Sequence, residues 1–427
     1  MNITALAKSF IQVDVRFYDA EEQAKLLRYP TADVMQEIVE NSVSVPKAEF
    51  LTYYLFHRIK LGTAGYKDYR SIASKIHIWL ASIEESIDFS DDSVRTPADA
   101  ERQLTEVSEH VGEAIGLAVM NRIHNLTEAD WLPIPEKGGR GASPTFDFQI
   151  ASDGESFVQV ETKGSSVADN RILSAAVKAQ KRKIDAKKAK LTIRAKAGED
   201  PYPASIRYGT ITAVDRRVAG NVRCWLTDPP SEKIDDDPKR FKLINRMRHL
   251  RNWISFISPR SALAAALSTR FADMEAMTNP FELDGVPLRR GNNEPFAFDT
   301  FDYAFPASKS RVVNGPAGGV VIQLSDECLF FLGIREDLLA LATRQDFGRI
   351  SYYKAEVGSV QKTVECTFSA RRFSGLSLPD RLIESATQTG GYYRFLLNGS
   401  LHYSPEGLVF GTLPISEPEN IRKIIRK

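Results

Sequence analysis

The chain of 427 residues has little cysteine: Cys224, Cys328 and Cys366 lie far apart and no CxxC pair exists. A zinc ribbon or a disulfide scaffold is thereby excluded, and the chain reads as a protein of a reducing, cytoplasmic compartment. It has no uninterrupted apolar run of about 18 residues, so no segment is expected to span a membrane. The opening stretch, MNITALAKSFIQVDVRF, lacks an apolar core and meets Asp14 early, so no signal peptide is expected. Net charge is nearly absent, +1 from 56 Lys and Arg against 55 Asp and Glu. That excludes a uniformly basic, histone-like protein but leaves room for a local basic patch. The six histidines show no ligand spacing, and His124 and His249 read as structural. There is no Walker motif, so an ATPase working with this protein would be a separate chain. The stretch NGPAGG, Asn314–Gly319, precedes a strand rather than following one and is not a phosphate loop. Internal repeats and long low-complexity tracts are also missing.

What is present suits a folded chain, 43% hydrophobic and 26% charged, long enough for about three domains. Residues 1–95 are expected to form a helical domain. Phe50, Leu51, Tyr54, Leu55 and Ile59 make one helical stripe, and Ile72, Ile76, Leu80, Ile83 and Ile87 another. Thr31 is placed to cap a helix carrying Val34, Met35, Ile38 and Val39. The acidic stretch 88–97 reads as a linker. Residues 96–230 change character. A helix from Pro97 to about Ile123 precedes strands at Trp131–Ile134, Thr145–Ile150 and Phe157–Lys163. A basic helix at Asp169–Lys190 follows, then a strand at Ala204–Val214. The Asp-Gly of ASDGES marks a hairpin turn between the second and third strands. Residues 231–427 read as a mixed α/β domain for recognition or self-association, as in a homodimer. Helices are expected at Phe241–Ser258 and Ala262–Met277, with β-rich text from Pro295.

The stretch Ser143–Ser165 carries the chemistry. In TFDFQI, Phe146, Phe148 and Ile150 alternate with Asp147 and Gln149. In SFVQVETK, Val158 and Val160 alternate with Gln159, Glu161 and Lys163. A period of two puts Glu161 and Lys163 on one strand face, and the hairpin is expected to bring Asp147 beside them. Two carboxylates and an amine on one face suit metal-assisted phosphodiester hydrolysis. Asp147 and Glu161, with the Thr162 main-chain carbonyl, would hold Mg²⁺ or Mn²⁺, and Lys163 would orient water or stabilise the pentavalent charge. The plainer alternative is a Glu161–Lys163 ion pair on a solvated strand.

Helix–strand–strand(D)–strand(ExK)–helix–strand resembles the PD-(D/E)XK nuclease superfamily over about Pro97–Val214. The resemblance implies an α/β, restriction-endonuclease-like αβββαβ core and a metal-dependent endodeoxyribonuclease, with Asp147, Glu161 and Lys163 as its catalytic set. Pro144 stands three positions before the aspartate rather than directly before it. Many members add a glutamate from the preceding helix. Glu113, in apolar HVGEAIGLAVMN, is the candidate, with a metal or Lys163 as its partner and Glu109 and Glu106 as rivals. Gly112 and Gly116 would let another backbone approach. Gln180 sits where some members place a polar residue reaching back to the site.

Arg171 to Lys196 holds ten Lys and Arg against Asp185 alone, a local concentration that points to phosphate contacts. Lys181, Arg182, Lys183, Lys187 and Lys188 are the expected DNA-binding residues. Lys137 and Arg140 of KGGRGAS either join them or belong to an ordinary hairpin loop. The role implied by the resemblance is restriction, phage defence or mobile-element control. Two rivals stand beside it: a catalytically silent nucleic-acid-binding module, and a ribonuclease or a nuclease gated by a partner.

Overall fold

The computed structural model describes residues 10–59, 61–88, 94, 105–132, 150–197, 204, 206–215, 221–227, 237–291, 293–296, 304–305, 310–369, 387–389, 392–415 and 421–422. The fold is mixed α/β with two sheets. The chain begins with β1 (Phe10–Phe17), α1 (Ala20–Leu26), α2 (Ala32–Asn41), β2 (Val43–Pro46), α3 (Lys47–Phe56) and α4 (Tyr69–Ser86). It continues with α5 (Thr105–His124), β3 (Ile150–Ser152), β4 (Phe157–Val167), α6 (Ala175–Lys196), β5 (Ile206–Asp215), β6 (Val222–Thr227), α7 (Pro238–Ile257) and α8 (Ala262–Ala276). The last part holds β7 (Ser310–Val312), β8 (Ala317–Ser325), β9 (Cys328–Arg335), α9 (Glu336–Arg344), α10 (Phe347–Ser351) and β10 (Gly358–Ser369). It ends in β11 (Thr387–Thr389), β12 (Tyr392–Tyr403), β13 (Leu408–Pro414) and β14 (Ile421–Arg422). No helix among the described residues is long and apolar enough to cross a membrane.

Two compact units divide the chain. The first comprises the described residues of Leu6–Arg58 and Ser82–Asn245 and is built on a six-stranded sheet, β2-β1-β6-β5-β4-β3. β4 and β5 run parallel with α6 as their crossover, while β3 pairs antiparallel with β4 and Leu132 bridges Ile150. α5, β3, β4, α6 and β5 follow one another in the expected order; of the strand expected at Trp131–Ile134, Leu132 makes an isolated bridge to Ile150, and 133–149 lie outside the described residues.

Residues 1–95 are not purely helical, which corrects the expectation for this segment. β1 runs parallel to β6 and β2 antiparallel to β1, so both extend the same sheet that carries β4. The physical reason is visible in FIQVDVRF: Ile11, Val13 and Val15 alternate with polar residues and are buried, a strand signature. Thr31 does precede α2, but its hydroxyl does not cap it; it lies 3.2 Å from the Tyr208 hydroxyl instead.

The ASDGES turn forms as expected. Gly154 takes φ 103°, and the Asp153 carboxylate accepts from the amides of Glu155 (2.8 Å) and Ser156 (2.7 Å). The same carboxylate lies 3.0 Å from His124 Nδ1, and His124 Nε2 lies 3.0 Å from the Tyr208 hydroxyl. His124 is thus a buried link between helix, turn and sheet. Burial pushes the Asp153 carboxyl up, but the His124 bond and the two amide bonds outweigh it and hold the group below the ordinary carboxylate value. Such a group stabilises the fold above that value and loses its contribution as acid protonates it. Asp153→Ala is therefore expected to lose less stability than the native chain between about pH 7 and pH 3. Urea unfolding at both ends of the range reads this directly, and equal losses would contradict it.

The second unit comprises the described residues of Ile59–Ala81 and Arg246–Lys427. Its strands follow the order β10-β7-β8-β9-β13-β12, and β10 pairs back along Gly358–Ser369 with β12, so six strands close into a barrel. β11 and β14 also pair with β12. Phe331, Phe395, Leu397, Leu401 and Val409 are among the buried side chains of its core.

Candidate active site

β4 and β5 present two distinct faces because successive side chains alternate. A Cβ on Gly209 would stand 3.0 Å from Ile184 of α6, whereas Thr210 lies against Gly116 of α5. Val177, Ile184 and Leu191 of α6 pack on Ile211, Ala213 and Val167. α5 covers the other face. A Cβ on Gly112 would come 2.4 Å from the Gly164 amide nitrogen, and one on Gly164 would come 1.7 Å from the Ser108 carbonyl oxygen. The close approach expected of Gly112 and Gly116 is thus found, and it is made onto the strand that carries Glu161 and Lys163.

Glu161 and Lys163 share the face toward α6, as their spacing requires. Lys163 Nζ lies 2.7 Å from Glu161 Oε1, and Lys187 Nζ, reaching in from α6, lies 2.8 Å from the same oxygen. The Glu161 side chain is 0% exposed, while those of Lys163 and Lys187 keep 17% and 25%. The pair is therefore buried rather than set on a solvated strand. Farther along this face Arg207 donates to Gln159 Oε1 at 3.1 Å, both residues buried. Gln180 of α6 donates to the Gly164 carbonyl at 3.3 Å, so it does reach back to β4, just past Lys163.

Thr162 turns its side chain to α5, which leaves only its main chain as a conceivable ligand. Glu113 has a different partner from those expected. Its Oε2 accepts from Arg58 Nε at 2.5 Å, and its Oε1 stands 3.7 Å from His57 Nε2. The next residue back, Gly112, lies on the face of β4 opposite Glu161. Arg58, distant in sequence, meets the buried charge that called for a partner, so Glu113 is corrected from metal ligand to one half of an ion pair. Glu106, a rival, is 75% exposed.

Asp147, Lys137 and Arg140 lie outside the described residues. The hairpin register is described only at its turn end. There Ile150 pairs with Gln159 and Ala151 with Val158. Directly opposed residues share a face, so Ile150 lies on the Glu161 side and not, as the alternation suggested, on the side of Val158.

The basic helix is only partly a charged surface. Lys181 Nζ lies 2.6 Å from Asp185 Oδ1 and 3.2 Å from Glu22 Oε1 of α1. Burial pulls its ammonium down, but these two carboxylates outweigh it and raise it above the ordinary lysine value. Lys187 points to Glu161. Both are thereby corrected from outward phosphate contacts to internal ones. Lys178, Arg182, Lys183 and Lys190 are exposed, and Lys188 is half-buried.

A divalent ion finds a partial fit. Glu161 offers the hard oxygen that Mg²⁺ takes, but its charge is already met by two ammoniums. Among the described residues no three His, Cys, Asp or Glu side chains come together as a metal site. Sequence reasoning missed Lys187 as a member of the site. The signal was present: Lys187 follows Ile184 by three residues and precedes Leu191 by four, on the edge of the apolar stripe rather than opposite it. Compared with family models, curated proteins and solved structures, the chain matches none of them.

Proposed function

We propose that this chain is a nuclease of the PD-(D/E)XK type, hydrolysing DNA phosphodiester bonds with Mg²⁺ or Mn²⁺ in restriction, phage defence or mobile-element control. The observation that carries this reading is the buried Glu161–Lys163 pair at 2.7 Å on a strand followed by a basic crossover helix. The chain order around it, α5 to β5, supports the same reading. In it, Glu161 and the Thr162 carbonyl hold the ion, with Asp147, which lies outside the described residues, as the further ligand that the resemblance implies. The ion, when bound, supplies Lewis acidity and lowers the pKa of water. Lys163 places an ammonium where negative charge grows on the phosphate, in a site that excludes most water. Lys178, Arg182, Lys183 and Lys190 hold the nucleic-acid backbone from the outer face of α6.

A second reading, a silent nucleic-acid-binding module, is favoured by one observation: two lysine ammoniums lie within 2.8 Å of the same Glu161 oxygen. Purified protein on supercoiled, linear and single-stranded DNA and on RNA, with Mg²⁺, Mn²⁺ or EDTA, separates the two. Metal-dependent cutting is expected; binding without cutting under every condition would establish the module.

The α6 surface makes its own prediction. Neutralising Arg182 and Lys183 is expected to reduce the slope of log K against log salt by about 0.9 for each phosphate left without its cation. Lys181→Ala is expected to leave that slope unchanged, because its ammonium is committed to Glu22 and Asp185. A slope that falls equally for Lys181→Ala would mean that these ion pairs open on binding.

A further inference from the structure

A groove lies within the first unit, away from Glu161. Tyr18, just past β1, and α1 form one wall, and the face of α6 from Lys178 to Ile193 forms the other, around a space of about 890 Å³. At the rise of an α-helix that wall runs about 22 Å. The carboxylates in the groove are engaged. Asp19 accepts from the Glu22 amide at 2.8 Å, Glu21 meets Lys25 at 2.6 Å, and Glu22 and Asp185 meet Lys181 at 3.2 and 2.6 Å. Lys178 and Arg182 differ. They stand one turn apart on α6, both exposed, and neither meets a carboxylate among the described residues. Arg182 Nε donates to the Lys178 carbonyl at 3.4 Å, and its two terminal nitrogens make no bond among the described residues. Facing this pair is an aromatic ring. Tyr18 is partly buried and packs against the cluster of Val177, Ile184 and Trp225, which fixes the ring. Farther along α6, Ile193 is 69% exposed.

We propose that this groove binds an unpaired nucleic-acid strand, with a base stacked on Tyr18 and the adjoining phosphates on Lys178 and Arg182. Cations in line beside an aromatic ring match what a single strand presents, since every nucleotide carries a phosphate and every base a π face. Ile193 offers a following base an apolar surface. A duplex fits the groove poorly. Its bases stack on one another and do not reach a side-chain ring, and its second backbone would face Glu21 and Glu22 of α1. The identity of the ligand as nucleic acid rests on the function proposed above; the division of the groove into a basic wall, an acidic wall and a ring rests on the geometry.

Fluorescence anisotropy in EDTA reads binding without cleavage, with a short labelled oligothymidylate and a labelled duplex of the same length as probes. The native chain is expected to bind the single strand more tightly. Tyr18→Leu keeps an apolar side chain against the cluster and removes the π face; near-ultraviolet circular dichroism and the melting temperature verify its fold. It is expected to weaken oligothymidylate binding about tenfold and duplex binding less than about twofold. Tyr18→Phe, which keeps the ring, is expected to stay within about twofold of the native chain on both probes. Arg182→Gln is expected to lower the slope of log K against log salt for the single strand by about 0.7. A tyrosine with a purely structural role would move both probes together or neither. Unchanged oligothymidylate affinity in a folded Tyr18→Leu variant would overturn the proposal, as would equal losses on the two probes. If Tyr18→Leu does not fold, ultraviolet cross-linking of a bromodeoxyuridine oligomer to the native chain decides: an adduct on Tyr18 is expected, and adducts only elsewhere would overturn the proposal. The two ideas fail separately. Single-strand binding through Tyr18 in a protein that cuts no nucleic acid would sink the nuclease reading and leave the groove assigned. Cutting by a protein whose Tyr18→Leu variant binds both probes as before would do the reverse.

Discussion

Glu161→Ala is expected to abolish cleavage and also to weaken the fold. The carboxylate is fully buried and meets two ammoniums, so its removal takes that charge from both of them within the protein. Breaking a buried ion pair by deleting one partner costs about 3–5 kcal/mol. The residual exposure of both lysines places this site at the lower end, about 3 kcal/mol. On the nuclease reading, loss of Glu161 is expected to slow cleavage by at least about 10²-fold. Lys163→Met should behave differently. It removes one of two cations from Glu161, leaves the other, and is expected to lose cleavage with about 1 kcal/mol or less of stability. Urea unfolding read beside cleavage rates decides both. A Glu161→Ala protein of native stability would mean that the two lysines find other partners or solvent. A cleaving one would end the nuclease assignment.

Gly164→Ala is expected to cost more stability than any other single methyl added to the first unit's sheet. The new Cβ would lie 1.7 Å from the Ser108 carbonyl oxygen and 2.6 Å from its carbon, both main-chain atoms of α5. No rotamer change relieves that contact, so helix and strand must separate. Overpacking of this kind costs about 1–3 kcal/mol, and the upper end applies where backbone meets backbone. Gly112→Ala presses on the same contact from the helix side, 2.4 Å from the Gly164 amide nitrogen. Because both glycines belong to one contact, the double variant is expected to cost less than the sum of the two single ones. Strict additivity in denaturant unfolding would show that the two act on separate contacts. The same separation would shift β4 and with it Glu161 and Lys163, so cleavage is expected to fall further than stability alone explains.

Much of the first unit was legible because its signals are local. The Asp-Gly turn required only Asp153 to hold the next two amides and Gly154 to take a positive φ. Beyond that unit the same holds: α7, which runs past Asn245, and α8 of the second unit lie within a few residues of their expected bounds, since their apolar stripes are long. The alternation of β1 is equally readable in Ile11, Val13 and Val15, but the helical stripes farther along dominate residues 1–95 and mask it. The hairpin register was not legible in the same way. Period two says which residues share a face within a strand, but which face of β3 meets which face of β4 is set by pairing. The observed pairing puts Ile150 with Phe157 in an apolar cluster that also takes in Leu132 and Phe241.

The sequence by itself determined that Glu161 and Lys163 would lie together, that a turn would precede their strand, and that a strongly basic helix would follow it. Those features depend on dihedral periodicity and on residues within a few positions of one another. Only the tertiary structure decided the partners. Glu113 went to Arg58, 55 residues away, rather than to Lys163. Lys187 came 26 residues back to Glu161 instead of facing solvent. β1 joined β6 across some 200 residues of chain. A buried charge must be met by some opposite charge or donor, and the sequence shows that need without saying which group will meet it. The choice falls to whichever group the packing of helices on both faces of the sheet brings within about 3 Å, where a charge-assisted hydrogen bond forms.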